Sequence, residues 1–327
     1  MKHLILVGAC YVDTVLSVPH YPQEDAKQRA SSLEIRRGGN CPNSLEVLQQ
    51  LVGPQDALRM HLVSPLPSKS SLATQHIKES FGESSPVDFE HCLYRETHTQ
   101  AASSYIFRSK QTGSRTIINY NDLPEMTVDE FEAVVRRFNP GDETWWHFEG
   151  RIPNTTLECV RKLRDMLPNA QISVEVEKPG RDGLRELAAE ANVVFYSRSW
   201  AESCGHGSAE SCLVDEQRRR EASSTSRSLA LLVCTWGADG ASMCQSSEQI
   251  VHCPVESRAK SISVVDSVGA GDTFVAGMLY SLVCRDRSWD VSHGLRFAVH
   301  LATTKVQREG FQGLGAHVHD WLVGNAS

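Results

Sequence analysis

Hydrophobic and polar positions follow two different spacings along the chain. Short apolar runs alternate with longer stretches in which apolar residues recur every three or four positions. The first pattern is typical of strands and the second of helices. It predicts strands at residues 4–9, 104–107, 115–119, 145–148, 171–176, 193–196 and 229–235. It predicts helices at residues 43–52, 71–81, 128–137, 154–167, 183–191, 208–222, 273–283 and 291–305.

This alternation of strands and helices predicts an α/β fold with a mostly parallel central sheet flanked by helices. Two segments interrupt the rhythm, because residues 11–37 and 94–120 favour strands alone. The second is expected to be a hairpin with its turn at residues 111–114. We expect a single domain over residues 1–327, with both segments inserted as a small β-strand lid over a site.

The charge balance is mildly acidic, with 33 Lys and Arg against 40 Asp and Glu and a formal net charge of −7. Such a surface repels phosphate backbones and anionic lipids, so neither nucleic acid nor membrane is an expected partner. The ten cysteines include no C-x-x-C pair, which argues against both a disulfide framework and a cysteine-rich zinc site. A reducing, cytoplasmic location is therefore expected.

The N-terminus allows two interpretations. Lys2 precedes the apolar run LILVGAC, which loosely resembles a lipoprotein signal. That run is short, begins almost at Met1 and continues as a strand pattern, so a buried first strand is preferred. No apolar run reaches the ~18 residues that a membrane helix needs.

The strongest chemical motif is the string VVDSVGAGDTF at residues 264–274. Gly269 and Gly271 flank Ala270 directly before an apolar helix, where free N–H groups and the helix dipole suit a phosphate. Asp272, at the start of that helix, is placed to accept a proton from an attacking hydroxyl. An ordinary strand-to-helix turn with Asp272 as its N-cap is the alternative.

A second motif is RGGNCPN at residues 37–43. The side chains of Asn40 and Asn43 both donate and accept hydrogen bonds, as sugar hydroxyls do, and Gly39 allows close backbone approach. Taken alone, Gly-Gly-Asn is more often a turn. Asp13 ends the first strand, and taken alone it could equally be an ordinary strand-end or turn aspartate.

The complete string at residues 264–274 resembles the C-terminal signature of the ribokinase-like sugar kinases, the phosphofructokinase B (PfkB) family. Further segments resemble the ketohexokinase branch of that family and occur in order over nearly the whole chain. They are SRTI at 114–117, WHFEGR at 146–151, SVEVEKP at 173–179, CTWGADGA at 234–241 and GFQG at 310–313.

This resemblance implies ATP-dependent phosphoryl transfer to a hydroxyl of a small sugar, with a ketohexose such as fructose as the first expectation. It implies a catalytic group of Asp272 as general base with the N–H groups of Gly269, Ala270 and Gly271 as the anion hole. It implies a sugar site of Asp13, Gly39, Asn40 and Asn43. It implies a nucleotide site of Arg115, Gly237, Ala238, Asp239 and Gly240. Without the resemblance, Arg115 would be a surface residue and residues 237–240 a β-turn.

The same resemblance implies magnesium-bound ATP, leaves the metal-binding residues unassigned and leaves a requirement for a monovalent cation such as K⁺ open. It also suggests a homodimer joined through the lid strands.

Departures from the family pattern leave the metal contacts unassigned and the acceptor open. An Asn-x-x-Glu motif that many members carry is replaced by YSRSW at 196–200, with Glu202 shifted along the chain. Ser114 stands where ketohexokinase has an asparagine. A ribose, nucleoside or modified-sugar kinase is therefore one alternative. A non-catalytic relative that binds sugar or nucleotide is another, which the complete set of motif residues disfavours.

Overall fold

The computed structural model describes residues 1–222, 230–255, 262–284 and 290–324, and the side chains of 320–324 lie outside the description. The strands among these residues are β1 (Lys2–Val7), β2 (Tyr11–Val18), β3 (Ser32–Gly38), β4 (Leu58–Val63), β5 (Pro65–Pro67), β6 (Val87–Asp88), β7 (Leu93–Arg95), β8 (Ala102–Ser109), β9 (Arg115–Tyr120), β10 (Glu143–Glu149), β11 (Gln171–Val176), β12 (Val193–Tyr196), β13 (Leu231–Thr235), β14 (Ala241–Ser246) and β15 (Gln249–Cys253).

The helices are α1 (Asn40–Leu51), α2 (Leu72–Glu79), α3 (Val128–Val135), α4 (Pro153–Met166), α5 (Leu184–Ala189), α6 (Arg198–Ser203), α7 (Ala209–Ala222), α8 (Ala270–Cys284), α9 (Val291–Val306) and α10 (Leu314–Gly324). Within the described residues, none of them combines the length and apolarity that crossing a membrane requires. The expected cytoplasmic location stays a prediction.

The central sheet has the strand order β15-β14-β13-β12-β11-β10-β1-β4-β6. All strands from β13 to β6 run parallel, and β14 and β15 add an antiparallel edge. The predicted fold class is therefore confirmed. Because the strands are parallel, their carboxyl ends meet at one edge of the sheet, where ligands of such folds bind.

Helices cover both faces of this sheet. In β1, Leu4 and Leu6 pack into the layer formed by α1, α8 and α9, whereas Ile5 and Val7 pack into the layer formed by α3, α4, α5 and α7. Residues 4–6 have no exposed surface. The run of apolar residues that the sequence shows there reflects a strand buried on both faces.

A second sheet has the order β3-β2-β8-β9, with a parallel pair at its centre and antiparallel pairs on both sides. The predicted hairpin turn occurs between β8 and β9, where Gly113 adopts a positive φ of 71°. The segment before residue 102 belongs elsewhere, because β7 pairs with β5 in a separate two-stranded sheet. The function of the second sheet as a lid remains a prediction.

Several elements differ from the sequence pattern. Strand β4 carries Arg59 and His61, and β14 carries small and polar residues, so neither shows an apolar run. Sheet neighbours supply the pairing that local sequence does not signal. Helix α8 begins at Ala270, three residues before the prediction, which places the Gly-Ala-Gly-Asp string in its first turn. Residue 229 of the predicted strand 229–235 lies outside the described residues.

Candidate active site

A cavity of about 1030 Å³ is lined by the central sheet and by the second sheet. The central sheet contributes Glu149, which ends β10, and Glu177, which follows β11. The second sheet contributes one of its faces, and the first turn of α8 forms another part of the lining. This is the edge of an open α/β sheet at which ligands bind.

Successive side chains along each strand of the second sheet point alternately into the cavity and away from it. One row of paired residues crosses all four strands and lines the cavity; it consists of Arg36, Asp13, Ser104 and Asn119. The adjacent row points the other way, because successive side chains in a strand lie on opposite faces. It consists of Ile35, Thr14, Tyr105 and Ile118. Ile35 and Ile118 are each about half exposed.

The first turn of α8 is open toward the cavity. A side chain on Gly271 would meet no atom within 4 Å, whereas one on Gly269 would collide with the ring of Phe311. Gly269 also needs its positive φ of 74°. Because the first N–H groups of a helix have no partner within the helix, this turn offers donors to an anion.

Asp272 is fixed by residues of α1 and β3. The Nδ2 of Asn43 donates to Oδ2 of Asp272 at 2.7 Å, and Oγ of Ser44 donates to the Asp272 carbonyl at 3.0 Å. A guanidinium nitrogen of Arg37 donates to Oδ1 of Asn43 at 3.0 Å, which leaves the amide of Asn43 only its NH₂ group to face Asp272. Arg37 is itself paired with Glu46.

Asn40 links two further carboxylates. Its Nδ2 donates to Oε2 of Glu175 at 2.8 Å and to Oε2 of Glu177 at 3.0 Å. Behind them, Nε2 of His147 lies 2.8 Å from Oε1 of Glu175, and its Nδ1 lies 2.9 Å from Oγ of Ser173. The group forms a continuous hydrogen-bonded chain under the cavity wall.

Burial and like charge shift the titration of this group. Burial raises the pKa of Glu175 to about 8, and the nearby Glu177 adds to the rise. Burial, with the charge of Glu175, holds the pKa of Asp272 well above its ordinary value. Burial also raises the pKa of Glu149 and lowers that of His147 to about 3, so the imidazole is neutral. Burial and mutual repulsion therefore couple the titrations of these carboxyl groups.

The structure brings most of the predicted site residues together around the cavity. They are Asp13, Gly39, Asn40, Asn43, Arg115, Gly269, Ala270, Gly271 and Asp272. Gly237, Ala238, Asp239 and Gly240 are not among the lining residues; they form a short turn after β13, with residues 237–239 exposed. A side chain on Gly240 would collide with the Cys253 carbonyl. Close packing therefore accounts for a glycine at this position.

Sequence reasoning assigned no role to Glu149, Glu175 or Glu177. A signal was present, because all three stand at or just after the ends of predicted parallel strands. Such ends converge, so neighbouring carboxylates there are expected to meet. Glu149 and Glu175 are in fact register partners on β10 and β11.

The segment that replaces Asn-x-x-Glu supports the site through the backbone. The hydroxyls of Ser197 and Ser199 donate to the Glu177 carbonyl at 2.5 and 3.2 Å. Glu202 is paired with Arg198 at 2.7 Å. This segment therefore positions Glu177 instead of supplying a carboxylate of its own.

A buried lysine side chain, that of Lys305, pairs with Asp266 at the cavity edge. The Nζ of Lys305, which has no exposed surface, donates to the carbonyl oxygen of Asp266 at 2.9 Å and to its Oδ2 at 2.7 Å. This pair joins the end of α9 to the segment that leads into α8. The pair and the hydrogen bonds lower the pKa of Asp266, although burial alone would raise it.

Comparison with protein families matches residues 1–316 to the family described as "pfkB family carbohydrate kinase". The chain belongs to the PfkB family. Mouse ketohexokinase is 31% identical over 325 residues, which cover 96% of this chain and 99% of the mouse protein. The predicted carbohydrate kinase activity is therefore confirmed at the level of the family.

Solved structures agree with this PfkB assignment in fold. Ribokinase from Thermotoga maritima superposes with a TM-score of 0.74 at 16% identity, over 99% of this chain and 100% of that one. Arabidopsis thaliana ribokinase, solved with ribose and ATP, superposes with a TM-score of 0.72 at 18% identity, over 95% of this chain and 94% of that one. The fold is ribokinase-like.

The raised pKa of Glu175 predicts a pH-dependent stability effect. Because the folded pKa is raised, the protonated form is favoured by folding, and stability is lost as pH rises from about 4.5 through about 8. Glu175→Gln keeps the shape and removes the titration. We expect its Tm to exceed that of the wild type by at least about 3 °C at about pH 9, with a smaller difference at about pH 5.

Thermal unfolding followed by circular dichroism across this pH range measures the difference. Glu158→Gln, at an exposed position of α4, is the matched control and should show no pH-dependent difference. A constant difference for Glu175→Gln would show that Glu175 does not titrate in this range.

Proposed function

We propose that this PfkB-family chain transfers the terminal phosphoryl group of ATP to a hydroxyl of a ketohexose such as fructose. The observation that carries the proposal is the placement of Asp272. Its carboxylate is fixed by Asn43 at the start of α8, in the helix turn that lines the same cavity. A proton acceptor and an anion site side by side suit phosphoryl transfer to a hydroxyl.

The sugar would lie between the second sheet and the amino end of α1. Asp13, Asn40 and Asn43 line this part of the cavity with groups that donate and accept. The positive φ of 108° at Gly39 turns the chain into α1 and brings its backbone beside Ala9. The 31% identity to mouse ketohexokinase favours a ketohexose over ribose as acceptor.

The nucleotide phosphates would lie at the first turn of α8. The open space at Gly271 fits a phosphate group, which a Cβ there would partly fill. Arg115 lines the same cavity from β9, and a guanidinium pairs well with phosphate oxygens. The ATP in the Arabidopsis ribokinase structure supports ATP as donor. A contact of residues 237–240 with the nucleotide stays a prediction.

The carboxylates around the cavity fit a magnesium ion. Oxygen ligands are those that Mg²⁺ prefers, and Glu177 offers a carboxylate on the cavity wall. Burial and then repulsion from neighbouring carboxylates raise the pKa of Asp272, and a cation would relieve the repulsion. Bound with ATP, the ion would neutralise charge on the phosphates. A requirement for K⁺ stays a prediction, which assays in sodium and potassium buffers would test.

The chain's own groups would act in a fixed order. Asp272 accepts the proton of the attacking hydroxyl, and its raised pKa makes the ionised carboxylate a stronger acceptor. The N–H groups at the start of α8 stabilise negative charge on the transferring group. The second sheet covers the sugar and excludes water, which would otherwise be phosphorylated in its place.

Asp272→Asn tests the proposed base. The amide keeps an oxygen that can accept from Asn43, so folding and ligand binding should persist, while kcat should fall by about 10³-fold or more. Steady-state ADP release measures kcat, and calorimetry measures sugar binding. Asp165→Asn, exposed on α4, is the control and should retain full activity. A loss of less than about tenfold would remove Asp272 from the role of base.

The acceptor is tested by ADP release from MgATP with fructose, other ketohexoses, ribose and adenosine in turn. We expect fructose or another ketohexose to give the highest kcat/KM. Preference for ribose or adenosine would keep the mechanism and change the substrate. Sugar binding without ADP release from any acceptor would support the non-catalytic alternative.

We also infer that two copies of the chain associate through the outer face of the second sheet. That face exposes the apolar row with Ile35, Tyr105 and Ile118, while the opposite face lines the cavity. Because water contact with such a row is unfavourable, a second copy would cover it. The apolar row also reaches β9, whose residues are all exposed.

The double variant Ile35→Ser and Ile118→Ser tests this association. Light scattering after gel filtration should give a dimer for the wild type and a monomer for the variant. Val251→Ser, an exposed apolar position on β15, is the control and should remain dimeric. A monomeric wild type, or a dimeric double variant, would contradict the inference.

A further inference from the structure

A second cluster of titratable side chains lies at the β4–β6 edge of the central sheet, away from the cavity. His61 in β4 and Asp88 in β6 are register partners on neighbouring parallel strands. His91 follows β6 by three residues, and none of the three lines the cavity. His61 is 3% exposed and His91 is 9% exposed, so both imidazoles are buried.

The three side chains converge on one point. One nitrogen of each imidazole and one oxygen of Asp88 all lie within 4.8 Å of one another. The Nδ1 of His61 forms no hydrogen bond and lies 3.3 Å from Oδ2 of Asp88. The Nδ1 of His91 is likewise buried without a hydrogen-bond partner. Buried polar atoms without partners are uncommon, and an ion bound between these two nitrogens would satisfy both.

A further histidine, His3, contacts the ring nitrogen of His61 that lies away from Asp88. The Nδ1 of His3 lies 2.9 Å from Nε2 of His61, and Nε2 of His3 lies 3.8 Å from Oδ2 of Asp142. One nitrogen of this contact must donate and the other accept, which links the tautomers of His3 and His61. If Nε2 donates to His3, Nδ1 of His61 has a free lone pair toward Asp88. Metal-binding histidines are supported in this way.

The environment favours neutral rings in fixed orientations. The ring of Phe138 packs against the rings of His3, His61 and His91, with centroid distances of 5.3, 5.5 and 4.9 Å. Burial lowers the pKa of all three histidines and places that of His61 at about 4. Neutral imidazole is the form that binds a metal. The Asp88 side chain, 41% exposed, connects the cluster to solvent.

Two other groups of three potential metal ligands occur in the described residues, and both are less suitable. In the one beneath the cavity, both ring nitrogens of His147 already lie within hydrogen-bond distance of partners. In the one around His206, the carboxylates of Asp215 and Glu216 are paired with arginines. A cation there would have to displace existing partners.

We propose that His61, Asp88 and His91 form a site for a divalent transition metal ion of the Zn²⁺ class, separate from the active-site cavity. Two imidazoles and one carboxylate are ligands that Zn²⁺ accepts, and a fourth position would be left to water. The ligands come from β4, from β6 and from the segment after β6. A bound ion would therefore join the edge of the sheet to the chain that follows it.

The test uses the full chain, stripped of metal with a chelator and titrated with Co²⁺ and with Zn²⁺. We expect one equivalent to bind, with the visible absorption of four-coordinate cobalt, and Zn²⁺ to raise the Tm. Asp88→Asn, at a half-exposed position, should weaken Co²⁺ affinity at least about tenfold, and His91→Gln should do the same. His206→Gln is the matched control and should bind as the wild type does.

Sugar-dependent ADP release is measured on the same proteins. Asp88→Asn should retain wild-type turnover with MgATP, which separates this site from the proposed active site. The proposal is overturned if the stripped wild type binds no Co²⁺, if both variants bind it as tightly as the wild type, or if the spectrum shows cysteine sulfur as a ligand.

Discussion

The hydrogen bond from Asn43 to Asp272 is the contact on which the candidate site depends. Asp272 is half-buried near Glu175 and Glu177, and each further carboxylate makes the ionised form of the others less favourable. Amide groups offset part of this cost, because the NH₂ groups of Asn40 and Asn43 donate to these oxygens. The first turns of α1 and α8 are thereby held against each other at the carboxyl edge of the sheet.

This arrangement follows from the parallel topology. Parallel strands deliver their carboxyl ends to one edge, so residues far apart in sequence meet there without a dedicated binding motif. Glu149 and Glu175 occupy equivalent places on β10 and β11 for this reason. The same edge receives the amino ends of α1 and α8, whose dipoles favour negative charge. Acidic groups and anion-binding groups therefore share one cavity, which suits transfer of a charged group.

The sequence was informative where chemistry is local and less so where it depends on pairing. The Gly-Ala-Gly-Asp string and the Gly-Gly-Asn segment both line the cavity. The first could be recognised from its long, specific sequence, and the second only through the family resemblance, since Gly-Gly-Asn alone is more often a turn. Glu175 escaped assignment because its burial depends on neighbours that are distant in sequence. Strand β14 was not predicted for a similar reason, because its small and polar residues form a strand through pairing with β13 and β15. The Gly237–Asp239 turn was assigned to the nucleotide site through the family resemblance alone. The residues that line the cavity do not include it.

The alternation in the second sheet has a consequence for how the protein can change over evolution. Along β2, Asp13 and Val15 line the cavity, whereas Thr14 belongs to the outward row. The residues that contact the acceptor and those that form the outer surface thus alternate along the strand. Substitutions can therefore change one set without changing the other. The number of residues in a strand is more constrained, because one inserted residue would turn every following side chain to the opposite face of the sheet. Relatives should therefore vary in the residues of these strands far more freely than in their number.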